Sequence, residues 1–172
     1  PNPANPMEVP LVRSWWLSKK KGKEAWVRAI VQEGRVHYEA VHDSIGPADD
    51  GTINRKGAVS VADGTPIGFD HIRTESRAGR MGADLIAVVA EGPHGRLYIS
   101  PTAEHTKAAE VPRPEGLSGA ELPEQALGFR VQNYGLKRWV DLFTNRQLVA
   151  MATLSDLVAE VREQVLVDAL IA

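Results

Sequence analysis

From Leu11 to His42 apolar and polar side chains alternate with a period of two, broken at KKKGK and again at QEG. The alternation predicts strands over Leu11–Leu17, Ala25–Val31 and Arg35–His42, joined as a meander. Gly22 supplies the positive φ that a tight turn requires, and the lysines flanking it keep the tip in water. Residues 44–57, SIGPADDGTINRKG, are rich in Gly, Asp and Pro and read as a loop, followed by short extended pieces over Ala58–Ile72 around an Asp63-Gly64 turn. Leu85–Ala90 and Leu97–Ile99, separated by EGPHG, predict a second hairpin. Ser100-Pro101 places an N-cap before a proline at the first helical position, which predicts a short helix over about Pro101–Ala109.

Periodicity lapses in VPRPEGLSGAELPEQ, whose three prolines and two glycines mark a linker or surface loop. It returns at FTNRQL, where Thr144 is spaced for a capping box with Gln147 and Phe143 for a hydrophobic staple with Leu148. A helix starts there: Leu154, Leu157, Val158, Val161 and Val165 recur at helical spacing, with no Gly or Pro before Ala172. Their stripe is core or subunit interface rather than a cofactor site, and a homodimer through this helix is one expectation. The fold class is therefore α+β, a β-rich front with a long C-terminal helix. The expected divisions are a β-rich module over 1–110, a linker over 111–140 and the helix over 141–172. No internal repeat runs the length of the chain.

Composition narrows the function. With 43% apolar and 24% charged residues the chain of 172 residues is of the soluble globular kind, and no apolar run approaches the roughly 18 residues of a membrane span. The net charge of −2 is no polycation, so nucleic-acid binding would need a local patch, and one lies between Arg13 and Arg35. Cysteine is absent, which removes disulfides, thiolate nucleophiles and thiolate metal sites. PNPANPMEVP does not resemble a secretory signal and carries no initiator Met at its start, so the expectation is a cytoplasmic segment of something larger.

Candidate chemistry is sparse. Asn2 and Asn5, and Ser60 and Asp63 before Gly64, share a spacing at which cysteines would form two zinc knuckles. None of the four is a thiolate, and Asn and Ser are poor zinc ligands, so the expectation is a degenerate ribbon framework without metal. His37 and His42 fall on opposite faces of their strand, and His71, His94 and His105 are scattered. RAGRMG, Arg77–Gly82, lacks G-x-G-x-x-G and reads as an exposed basic turn, a set of arginines for DNA phosphates or a phosphate cradle. No G-x-S-x-G elbow is present, and nothing in the residues alone establishes an enzyme.

The stretches PLVRSWWLSKKKGKEAWV (10–27), GTINRKGA (51–58), GTPIGFDHIR (64–73), SRAGRMGADLIAVVAEG (76–92), LPEQALGFRVQNYG (122–135) and DLFTNRQLVAMATLSDLV (141–158) resemble the large bacterial and archaeal adenine-specific DNA methylases that contain a Zn-ribbon. The resemblance implies an insertion within an S-adenosylmethionine-dependent N6-adenine methyltransferase of the restriction-modification kind. Neither the D/N-P-P-Y motif nor F-x-G-x-G occurs here, so the donor and the reaction would belong to the rest of the parent enzyme. The ribbon cysteines of the family fall at or near Asn2, Asn5, Ser60 and Asp63, which leaves zinc in doubt for this chain. Such an insert is expected to clamp DNA while the catalytic domain flips the base. Arg13, Lys19, Lys20, Lys21, Lys23 and Arg28 would contact phosphates, with Trp16 beside them and Arg73, Arg77 and Arg80 as a second set. A scaffold docking on the catalytic domain or a partner is the alternative.

Overall fold

The computed structural model describes residues 7–117, 119–124 and 130–171; Asn2 and Asn5 lie outside them. The chain divides into two compact units, residues 1–106 and 107–172. It is α+β, with a β-rich front and a long C-terminal helix.

In the first unit the meander forms as β1 (Trp16–Ser18), β2 (Ala25–Gln32) and β3 (Arg35–Val41), antiparallel in that order. The register Val27↔Ala40, Ala29↔Tyr38 and Val31↔Val36 follows from the alternation, and Gly22 and Gly34 take the positive φ of the two turns. Only the end of the first expected strand is regular. Before it, Val12 pairs with Thr52, Trp15 N–H donates to the Asp50 carbonyl at 2.8 Å, and a register shift between Trp16 and Ser18 breaks the ladder. The Thr52 hydroxyl, buried, also donates to the Pro10 carbonyl, so the chain entering β1 is tied to the loop before β4.

A second sheet takes β4 (Ile53–Asn54), β5 (Gly57–Val59) and β6 (Pro66–Ile67) in order. The expected hairpin is β7 (Val88–Gly92) with β8 (Gly95–Ile99). It is tied to β3: the Ala40 N–H donates to Ser100 Oγ at 2.9 Å and the His42 ring N–H to the Tyr98 carbonyl at 2.8 Å. Trp15, Ala25, Trp26, Val27, Ala58 and Ile72 are buried in this unit. Trp26 spends its one polar atom on Asp43, whose carboxylate accepts the indole N–H at 2.9 Å and the Ile45 and Gly46 backbone N–H groups. Those bonds, the indole's first, hold the Asp43 carboxyl below the usual carboxylate range.

The extended reading of Ala58–Ile72 fails at its end, where α1 (Phe69–Arg77) begins. Its N-cap is Gly68, with no side-chain cap, and Ile72 is its one buried residue, so neither a cap nor an apolar stripe announces it. Its C-terminus explains the glycine of RAGRMG. Gly79 sits at φ 72° and the Arg80 N–H reaches back to the Glu75 carbonyl at 3.0 Å, a left-handed cap that ends the helix. The short helix is α2 (Ala103–Ala109), beginning two residues after the proline.

In the second unit the stretch expected as linker carries two short 3-10 turns, Val131–Tyr134 and Trp139–Leu142, and a bridge between Glu121 and Arg138 that buries Leu122. Asp141 gathers the Arg138 side chain at 3.0 Å and the Lys137 and Arg138 backbone N–H groups, and the Arg138 guanidinium first among them holds its carboxyl low. The long helix is α3 (Asn145–Ile171). Its capping box is reciprocal, Gln147 N–H to Thr144 Oγ1 at 3.3 Å and Thr144 N–H to Gln147 Oε1 at 2.9 Å. Leu148 is buried, whereas Phe143 stays 40% exposed. Thr144→Ala is expected to lower stability by about 1 kcal/mol through the lost cap; an unchanged urea midpoint would place the start of the helix elsewhere. From Thr153 to Leu166 every side chain of α3 is exposed, so its stripe is not part of this chain's core.

Candidate nucleic-acid interface

The β1–β2 turn is built by its sequence: the Lys23 N–H closes on the Lys20 carbonyl at 2.8 Å, and Gly22 at φ 74° lets the chain reverse. Lys19, Lys20 and Lys21 are thereby presented on an exposed tip. Trp16, behind it, is half-buried. A Cβ added to Gly46 would lie 2.3 Å from the Trp16 ring, so that ring rests on bare backbone, while the Lys19 ammonium sits 5.4 Å from the ring centroid. Ile45, in the same loop as Gly46, is 88% exposed. The adjacent Trp15 is buried on the other side of the chain, as period-two geometry requires.

The remaining cations divide by what they already hold. Arg13 and Arg77 are exposed and, with Lys19, Lys20 and Lys21, form no ion pair among the described residues. Lys23 donates to the His94 carbonyl at 2.7 Å, across to the β7–β8 turn. Arg28 pairs with Glu39 at 3.0 Å and lies over the Trp26 ring; Arg73 pairs with Asp70 at 3.1 Å and lies over Phe69. Arg80 holds Glu75 in a two-pronged contact at 2.6 and 2.8 Å, which keeps the Glu75 carboxyl low and raises the guanidinium. A carboxylate already facing a guanidinium opposes its use on a phosphate, so Arg28, Arg73 and Arg80 are the weaker members of the expected set, and Lys23 is held by a backbone carbonyl instead.

Ser60 and Asp63 do form a tight turn. Ser60 Oγ accepts the Ala62 N–H at 3.2 Å, Asp63 Oδ1 accepts the Thr65 N–H at 3.0 Å, and Gly64 takes φ 72°. Each oxygen thus satisfies the backbone two residues on. With one carboxylate, one hydroxyl and no sulfur, the pair does not fit a structural zinc, and no group of three or more His, Asp or Glu is placed to hold a metal among the described residues.

The turn opens on a cavity of about 920 Å³ that sequence reasoning missed. Its walls bring together Ser60, Asp63, the Glu75–Arg80 pair, and Tyr38 donating to Asp84 at 3.1 Å. Burial first, and the Asp84 charge second, push the Tyr38 phenol well above its ordinary range. Met7, Val9, Pro10, Leu11, Val12 and Ile67 supply apolar wall. The lining comes from segments scattered between residues 7 and 86. No described helix is long and apolar enough to cross a membrane. No family model, no curated protein and no solved structure matches the chain.

Proposed function

We propose that this chain is a DNA-backbone clamp, an inserted segment of an S-adenosylmethionine-dependent N6-adenine DNA methyltransferase that holds the duplex and leaves donor binding and methyl transfer to the rest of the parent enzyme. The observation that carries the reading is the exposed tip Lys19–Lys21 with Arg13, cations without ion pairs among the described residues, in a chain of net charge −2 whose other candidate arginines, Arg77 apart, already face carboxylates. Phosphate contacts of this kind give affinity and salt dependence and little sequence information. Trp16, steadied on Gly46, would support the strand that carries the tip. The resemblance to Zn-ribbon adenine methylases supplies the class of partner.

The test is duplex binding by the chain across a salt series, with Arg13, Lys19, Lys20 and Lys21 replaced together by Ala. Lys23 is left in place because its ammonium is already held by His94. The expected result is weakening by a similar factor for unrelated sequences, with the slope of log K against log salt reduced by up to about 3.6, or 0.9 for each of the lost contacts. An unchanged slope would move the clamp to Arg77 and its neighbours. A second reading, a scaffold that docks on the catalytic domain or a partner, is favoured by the exposed apolar residues of α3. Absence of duplex binding by the unaltered chain at low salt would decide for it.

A further inference from the structure

The exposed part of α3 carries an ordered pattern. Met151, Leu154, Val158, Val161 and Val165 follow one another at steps of three, four, three and four, the spacing of a two-stranded coiled-coil seam. Leu154, Val158, Val161 and Val165 are 60–69% exposed and Met151 is 42% exposed. On a helix with 3.6 residues per turn, Asp156, Glu160 and Glu163 fall on the side opposite this seam and stay in water when it is covered.

We propose that the occupant of this face is a second copy of the same helix, and that the chain pairs in parallel through α3 about a two-fold axis. The seam is self-complementary: Val158 and Val165 occupy the positions where β-branched residues favour two parallel strands, and Leu154 and Val161 occupy the alternate seam positions. Its flanks hold Ser155, Leu157, Arg162 and Gln164. Arg162 then meets Leu157 of the other copy, so its stem covers an apolar side chain that is 50% exposed in the single chain, and no like charges oppose. Met151, Leu154, Leu157, Val158, Val161 and Val165 offer on the order of 600 Å² of side-chain surface per copy, so a pair buries up to about 1,200 Å² through them, the lower edge of stable interfaces. The pairing is independent of the DNA reading, because none of its residues belongs to the first unit.

Sedimentation velocity of the intact chain over about 5–200 µM tests it, a range matched to a micromolar Kd. The expected mass moves from 18.7 kDa toward twice that value as concentration rises. V158E/V161E is expected to stay monomeric with an unchanged circular dichroism spectrum, since both residues are exposed within one copy. The chain has no cysteine, so V165C places a single thiol at the seam, and mild oxidation is expected to cross-link most of it into a dimer. A monomer at every concentration overturns the proposal. So does a dimer that survives V158E/V161E, a larger assembly, or a V165C dimer that fails to cross-link.

Discussion

Trp15→Ala is expected to lower the unfolding free energy by about 3–5 kcal/mol, the range for removing a buried tryptophan without refilling the space. Trp15 is 6% exposed, its ring lies 6.5 Å from that of Tyr38, and its backbone bonds both Asp50 and Val27. The cavity would open at the place where the entry to β1, the loop before β4 and the start of β2 meet. Small domains have only about 5–15 kcal/mol in total, so the variant would lie near the edge of folding. Trp16→Ala, one residue on, removes a half-exposed ring and should cost well under half as much. Urea unfolding followed by far-UV circular dichroism compares the two. Equal losses would mean that the assignment of one tryptophan to the core and its neighbour to the surface is wrong.

Gly57→Ala should be comparably damaging by a different route. Gly57 has φ 142°, and an added Cβ would lie 2.2 Å from the Ile67 carbonyl oxygen on β6. No side chain can swing aside there, because the obstacle is backbone paired with β5. The strained dihedral alone costs about 1–3 kcal/mol, and parting the strands adds to it, so a total loss of about 3 kcal/mol or more is expected. Gly64→Ala is the control: its φ of 72° is also left-handed, yet nothing lies within 4 Å of the added atom. Its cost should be near 1 kcal/mol. Matching midpoints for the two variants would show that the approach of β5 to β6 is looser than 2.2 Å implies.

What the chain disclosed in advance follows from how local each signal was. β2 and β3 were legible because alternation and a two-residue turn specify an antiparallel pair by themselves. The start of α3 was legible because Thr144 and Gln147 bond each other across three residues. α1 was hidden: its cap is a glycine and a single buried isoleucine makes no stripe. Much of the basic set was legible as charge but not as availability. Nothing near Arg80 in the sequence says that Glu75 will be turned toward it by the helix end between them, nor that Lys23 will meet His94, 71 positions away. The cavity was hidden for the same reason, since its walls are brought together only by the packing of distant segments. For the stripe of α3, spacing alone admitted both core and interface; its exposure removes the first within this chain.

The anchoring of α3 at one end makes its length a dimension. Leu148 is buried and Asn145 Nδ2 donates to the Val111 carbonyl at 3.1 Å, so the first turn is fixed while the described side chains from Thr153 on stand clear. Twenty-seven helical residues extend about 40 Å, and each one advances the axis by about 1.5 Å and turns it by about 100°. The exposed stretch is therefore a screw that sets both the distance and the azimuth of whatever it carries. One residue inserted after Thr153 would rotate every later side chain by more than a quarter turn while leaving the anchored end untouched; seven would lengthen the strut by about 10 Å and restore its phase to within about 20°.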